Sequence, residues 1–289
     1  MIEFKEVYKN YGEIEALKCV SFYISKGEVV ALLGPNGAGK TTTVNLMLGF
    51  LKPDKGYISF LDKEPYKENI FKKVGVVLEN VNCYNSLTLE ENLLFFGEIY
   101  EVKNLKGKIE FLLRKFDLHN KRKEKFGKLS KGMKQKFALA KALLHDPEIL
   151  ILDEPTSGLD IEWQNRIIEV LNEFVEERKI TLFFTSHNLF IVENLAKRVI
   201  FINNGKIKAD YKIGEIFGKF NGKKLIVKKE ILPKLKFENI KIKQKGEFAE
   251  IILYNKESYE YFIKNFDKNL IIKETPCSLN DAYEHILYS

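Results

Sequence analysis

Cysteine is scarce in this chain: Cys19, Cys83 and Cys277 are odd in number, far apart and without C-x-x-C spacing. That excludes a disulfide framework and a cysteine-based zinc site, and it fits a reducing compartment. Long apolar runs are also missing, since no stretch approaches the roughly 20 uninterrupted residues that span a bilayer. The start, Met1-Ile2-Glu3-Phe4-Lys5, lacks the basic-then-apolar order of a signal peptide, so the chain is expected to be soluble and cytoplasmic. No repeat or low-complexity segment occurs. Charge of one sign does not dominate either: 47 Lys and Arg face 40 Asp and Glu, a net +7 spread along the chain. A solvated Lys-rich surface accounts for that better than a polyanion-binding face, so no nucleic-acid partner is expected.

What is present suits a large domain followed by a small one, with 289 residues of which 45% are hydrophobic. Val29 to Leu33, Ile149 to Leu152 and Thr181 to Thr185 are short and almost free of charge, as strands buried on both faces are. Between them lie amphipathic helical patterns, such as Phe137, Ala140 and Leu144, or Trp163 to Phe174. The alternation predicts an α/β fold with a largely parallel sheet. After Ile200-Phe201-Ile202 the pattern changes: Asn203-Asn204-Gly205-Lys206 reads as a turn, and Gly214, Gly218 and Gly222 punctuate a polar stretch. A boundary is expected near residue 220, dividing 1–218 from 219–289. Beyond it, strand-like 224–229, 248–254 and 270–274, a helix near 258–266 and a final helix predict a small α+β domain. Ser278 and Asp281 form a capping pair for that last helix.

Two motifs carry chemistry. Gly34-Pro35-Asn36-Gly37-Ala38-Gly39-Lys40-Thr41 fits the P-loop pattern G-x-x-x-x-G-K-[ST] between an apolar strand and the helical Thr42 to Leu48. The glycines let backbone amides approach phosphate oxygens, and the helix presents its positive end to the anion. Lys40 would neutralise the β and γ phosphates, and Thr41 would offer its hydroxyl to Mg²⁺. A bare glycine-rich turn with an exposed lysine would explain the glycines but not the flanking strand and helix. The second motif, Ile149 to Glu154, is a buried strand ending in adjacent carboxylates, which is costly unless a cation compensates. Asp153 is placed to hold Mg²⁺, directly or through water, and Glu154 to polarise the attacking water.

Upstream of that strand, Leu129-Ser130-Lys131-Gly132-Met133-Lys134-Gln135 resembles the LSGGQ signature of ABC ATPases, with Lys131 and Met133 in place of a glycine and the glutamine. The variant is similar to exporter ATPases that work with a separate permease, including drug and bacteriocin self-protection systems. Ser130 also stands where a helix N-cap belongs. The resemblance, over about residues 1–215, implies a P-loop NTPase core with an ABC helical subdomain at about 84–142. It implies ATP and Mg²⁺ as ligands, and a dimer, either of identical or of related chains, in which Ser130 and Gly132 face the nucleotide held by the other subunit. It further implies a transmembrane permease partner, placing the chain at the cytoplasmic face of the membrane.

The remaining positions follow from the same resemblance. Tyr11 is similar to the aromatic residue that stacks on adenine. The phosphate cradle is Gly34, Asn36, Gly37, Ala38, Gly39, Lys40, Thr41 and Thr42. Asp160, in Ser157-Gly158-Leu159-Asp160, matches the D-loop. His187 resembles the switch histidine that contacts the γ phosphate, whereas His119, His145 and His285 read as surface or helix-end residues. Val74 to Glu79 departs from the pattern: Glu79 stands where most of the family has glutamine, and it adds negative charge near the phosphates and the metal. A non-transport ABC ATPase acting on DNA or ribosomes is the alternative, yet no coiled-coil insertion, zinc module or second ATPase domain is present. A nucleotide sensor without turnover is disfavoured by the complete catalytic set.

Overall fold

Uncharged runs of branched residues make the central strands of this protein, because each such strand is covered on both faces. The computed structural model describes residues 1–61, 70–79, 83–234, 240–266 and 268–288. Two units divide after Lys208: Met1–Lys208 and Ala209–Ser289.

In the first unit, β1 (Ile2–Tyr11), β2 (Ile14–Ile24), β3 (Val29–Leu33), α1 (Lys40–Met47), β4 (Lys55–Phe60) and β5 (Val74–Val77) come first. Three helices follow, α2 (Leu89–Ile99), α3 (Leu105–Lys115) and α4 (Lys131–Ala142), which pack on one another. Then come β6 (Ile149–Asp153), α5 (Ile161–Arg178), β7 (Thr181–Ser186), α6 (Leu189–Leu195), β8 (Arg198–Asn203) and β9 (Lys206–Lys212), the last crossing the division.

The main sheet runs β5-β6-β7-β3-β8-β9, with β5–β6, β6–β7, β7–β3 and β3–β8 all parallel. Every residue of β3, β6 and β7 is buried. A second, antiparallel sheet, β2-β1-β4, shares one core with the first: Phe4, Val20, Ile58 and Phe60 join Val30, Val44, Ile151 and Phe183. Each such side chain contributes roughly 1.5–3 kcal/mol by leaving water. Helix starts follow local chemistry. Thr88 and Glu91 form a capping box on α2, Ser130 caps α4 and Asp160 caps α5.

The second unit holds α7 (Ile213–Lys219), β10 (Lys223–Lys228), β11 (Ile240–Lys245), β12 (Phe248–Leu253), α8 (Lys256–Asn265), β13 (Ile271–Pro276) and α9 (Leu279–Tyr288). Its four strands form an antiparallel sheet in the order β11-β12-β10-β13 around a core of Leu225, Val227, Ile251, Leu253 and Phe262. The expected cut between 218 and 219 falls inside α7. That helix packs against α9, so it belongs wholly to the second unit, and the division lies earlier in the chain. Ser278 does pair with Asp281: its amide donates to Oδ2 at 2.8 Å and its Oγ accepts the Asp281 amide at 3.3 Å.

Candidate functional site

Parallel strands end together, and in this sheet their carboxyl ends gather the chemistry. Leu33 of β3 pairs with Ser186 of β7, and Asp153 of β6 pairs with Thr185. The P-loop, the two carboxylates and His187 therefore leave the sheet at one edge, where open parallel sheets hold their ligands. A cleft of about 780 Å³ lies there. Tyr11, Asn36, Gly37, Gly39, Lys40, Thr41, Thr42, Glu79, Glu154 and His187 all line it.

The loop needs glycine at specific places. A Cβ on Gly34 would stand 2.2 Å from the Ile202 carbonyl oxygen, and Gly39, at φ 106°, would press a Cβ to 2.7 Å from Leu17 Cδ2. Gly39 is also the N-cap of α1 and offers no side-chain hydrogen bond. The first-turn amides of α1 thus have no side-chain cap, and such a helix start suits an anion. Gly34 and Ala38 serve as framework rather than wall: the Gly34 amide donates to the Ser186 carbonyl at 3.4 Å, and the Ala38 carbonyl accepts the Gly205 amide at 3.1 Å. Lys40 is 7% exposed and donates to the carbonyls of Gly34 (2.9 Å) and Pro35 (3.2 Å). Tyr11 sits at the hairpin tip, opposite Ile14 across Gly12-Glu13, which keeps its ring 46% exposed and available for stacking.

Glu154 is the hub. Its Oε1 lies 3.4 Å from Lys40 Nζ and 3.0 Å from His187 Nδ1. It holds a left-handed φ of 50°, uncommon for a branched-free but non-glycine residue, and its amide donates to Thr185 Oγ1 at 3.1 Å. The Thr185 hydroxyl in turn donates to Asp153 Oδ1. Asp153 is fully buried, and its Oδ2 has no partner. Burial pushes its carboxyl above the ordinary range; the Thr185 and Thr41 hydroxyls counter this, while the charges of Glu154 and Glu79 add to the rise. An orphaned, desolvated oxygen beside a hydroxyl and like charges fits a hard divalent cation, so Thr41 and Asp153 suit Mg²⁺. Among the described residues no three His, Cys, Asp or Glu side chains form a ready-made metal cage, as expected where phosphates complete the coordination.

Ser130, Gly132 and Asp160 do not reach this cleft. They line a second one, of about 370 Å³, together with Gly158, Lys136 and Trp163. Ser130 Oγ accepts the Met133 amide at 3.3 Å, and Asp160 Oδ1 accepts the Trp163 amide at 2.8 Å. Lys131, at the variant position of the signature, lays its stem over Gly158, where a Cβ would stand 2.9 Å from Lys131 Cδ. Lys136 Nζ stands 3.1 Å from the centre of the Trp163 ring.

Two residues make contacts in the site that their place in the sequence does not signal. Thr185 reads as one more strand residue, yet it bridges Asp153 and Glu154. Gln135 reads as the end of the signature; it is buried, and its Nε2 donates to the Pro155 carbonyl at 2.9 Å, tying α4 to the loop after Glu154. The other histidines are half-buried: His119 begins a short 3-10 turn with its Nε2 3.1 Å from Arg122, His285 lies in the last turn of α9, and His145 stacks on Tyr100 at 4.1 Å.

Residues 17–157 match the family model described as ABC transporter. The bacitracin transport ATP-binding protein BcrA of Bacillus licheniformis is 36% identical over 209 residues, covering 72% of this chain and 68% of that protein. The SkfA peptide export ATP-binding protein SkfE of Bacillus subtilis is 36% identical over 215 residues, covering 73% and 88%. Among solved structures, a dimeric ATP-binding cassette in a post-hydrolysis state bound to ADP and Pi superposes with a TM-score of 0.68 at 27% identity, covering 74% of this chain and 99% of that one. Likeness of that extent establishes that the chain belongs to the ABC transporter family, as an ATP-binding subunit that hydrolyses ATP with Mg²⁺.

Proposed function

We propose that this subunit energises export through a separate transmembrane permease, at the cytoplasmic face of the membrane, in a dimer of identical or related ATPase chains. One observation carries the reading: the P-loop and the signature line two different clefts of one chain. A phosphate held at Lys40 of one subunit then needs Ser130 and Gly132 from a second. Relatives named for bacitracin transport and peptide export support a peptide or an antibiotic as cargo. No helix among the described residues is long and apolar enough to cross a membrane, which fits a permease on a separate chain.

Within this reading each group has a task. Tyr11 stacks on the adenine, while Asn36, Gly37, Gly39 and Thr42 surround the phosphates. Lys40 leaves the Gly34 and Pro35 carbonyls to meet phosphate oxygens, a charge-assisted contact. Mg²⁺, held by Thr41 and Asp153 with Glu79 beside it, neutralises phosphate charge when bound. Glu154 accepts a proton from the attacking water, and His187, hydrogen-bonded to it, orients that carboxylate and faces the γ phosphate. Asp160 and the Ser130 start of α4 belong to the partner's site.

The test is a pull-down of tagged Glu154→Gln protein from detergent-solubilised membranes with Mg-ATP. A multi-span membrane protein should co-purify. Ribosomes or DNA-bound proteins in its place would move the assignment to a non-transport ABC ATPase.

A further inference from the structure

Ser157 lines the cleft of Lys40 and His187, whereas Gly158 to Asp160 line the cleft of Ser130. This short segment is thus the covalent link between the two. A second link, through side chains, runs beside it. From the first turn of α5, Gln164 Nε2 donates to the Leu159 carbonyl at 3.0 Å, and Gln164 Oε1 accepts from Asn188 Nδ2 at 3.2 Å. Asn188 directly follows His187 and is itself held: its Oδ1 accepts the Phe190 amide at 3.0 Å, capping α6, and its own amide donates to Ser186 Oγ at 2.9 Å. A carboxamide suits such a bridge because it donates from one corner and accepts at the other, whereas carboxylates only accept and Lys or Arg only donate.

We propose that Gln164 is a positioning residue for ATP hydrolysis, holding the Leu159 carbonyl and the His187-Asn188 turn in one register, so that displacement of residues 157–160 moves His187. Gln164 touches neither phosphate nor water. Its effect reaches the chemistry through His187, and the inference therefore rests on the assignment of His187 to the γ phosphate. What enters the signature cleft is thereby sensed in the other cleft of the same chain, with no movement of the P-loop required.

The test compares ATP hydrolysis by the full-length wild type, Gln164→Leu, Gln164→Glu, Asn188→Ala and the Gln164→Leu/Asn188→Ala double variant, with thermal melting of each. Gln164→Leu should lower kcat roughly tenfold, as a slight misplacement of a catalytic group does, with KM for ATP and melting little changed. Gln164→Glu, which still accepts from Asn188 but cannot donate to Leu159, should fall as far, and being isosteric it decides the matter if the leucine variant fails to fold. The double variant should be no slower than the slower single, because both changes cut one link. Wild-type kcat in Gln164→Leu and Gln164→Glu, single losses that multiply in the double variant, or losses that track melting would each overturn the link. A wild-type chain that fails to hydrolyse ATP would overturn the site assignment itself, and this inference with it.

Discussion

Glu154 and His187 lie 33 residues apart in the chain, yet the carboxylate Oε1 is 3.0 Å from the imidazole Nδ1. Lys40 Nζ lies 3.4 Å from the same oxygen. One carboxylate oxygen is thus within reach of both the P-loop lysine and His187, which accords with the proposed role of Glu154 as the base.

Glu154→Gln keeps the size of the side chain and removes the proton acceptor. Hydrolysis should fall by roughly 10²–10⁴-fold while Mg-ATP binding persists. Phosphate release, measured beside nucleotide binding, checks both halves, and a normal turnover rate would sink the assignment of the base.

Asp153 gives a prediction in pH. Because burial raises its carboxyl, the folded state holds that proton more tightly than the unfolded state does. The stability it contributes is full below the unfolded carboxylate value and is lost as pH rises through the raised folded value. Asp153→Asn, which carries no charge, should melt higher than wild type at neutral pH without Mg-ATP, by roughly a few degrees, with the gap shrinking in acid. The same variant should gain little from Mg-ATP, whereas the wild type gains much. Melting curves at two pH values, with and without Mg-ATP, decide the point.

Thr185→Val leaves the Glu154 amide without its acceptor and removes the hydroxyl that donates to Asp153 Oδ1. The cost should be about 1–3 kcal/mol, read as a lower midpoint in denaturant, and hydrolysis should fall with it. Thr185→Ser restores the hydroxyl and should recover most of both. Equal behaviour of the serine and valine variants would remove Thr185 from the site.

In the second unit, Lys224 Nζ pairs with the fully buried Asp281 at 2.9 Å, and Asp281 also caps α9 through Ser278. Asp281→Ala strands the lysine and removes the acceptor of the Ser278 amide, one half of the capping pair. A loss near the lower end of the range for broken buried pairs, about 3 kcal/mol, is expected because Lys224 keeps some contact with water. Hydrogen exchange should show α9 amides losing protection, and unchanged protection would refute the pairing's importance.

The elements most legible in the sequence were those whose physics is local. Val29–Leu33 matches its uncharged run residue for residue, because a strand buried on both faces tolerates no charge. The P-loop, Ser130 and the Ser278–Asp281 pair were legible because glycine conformation and helix capping act over a few residues. The hairpin pairing of β1 with β2, and the separate sheet they form with β4, carry no comparable signal: long strands with mixed burial resemble a solvated stretch. Least legible were the contacts across distance. Thr185 with Asp153, Gln135 with Pro155 and Gln164 with Asn188 join residues about 20 to 30 positions apart, and only the register of the parallel sheet and the packing of α4 and α5 bring them together.

The chain has one tryptophan, and it stands at the rim of the signature cleft beneath the Lys136 ammonium. An indole with a charge that close is a built-in optical gauge, since its excited state responds to that field. Any event that draws Lys136 away, or covers the ring with a second subunit, writes itself into the colour and intensity of the protein's own emission, without a label and without a substitution.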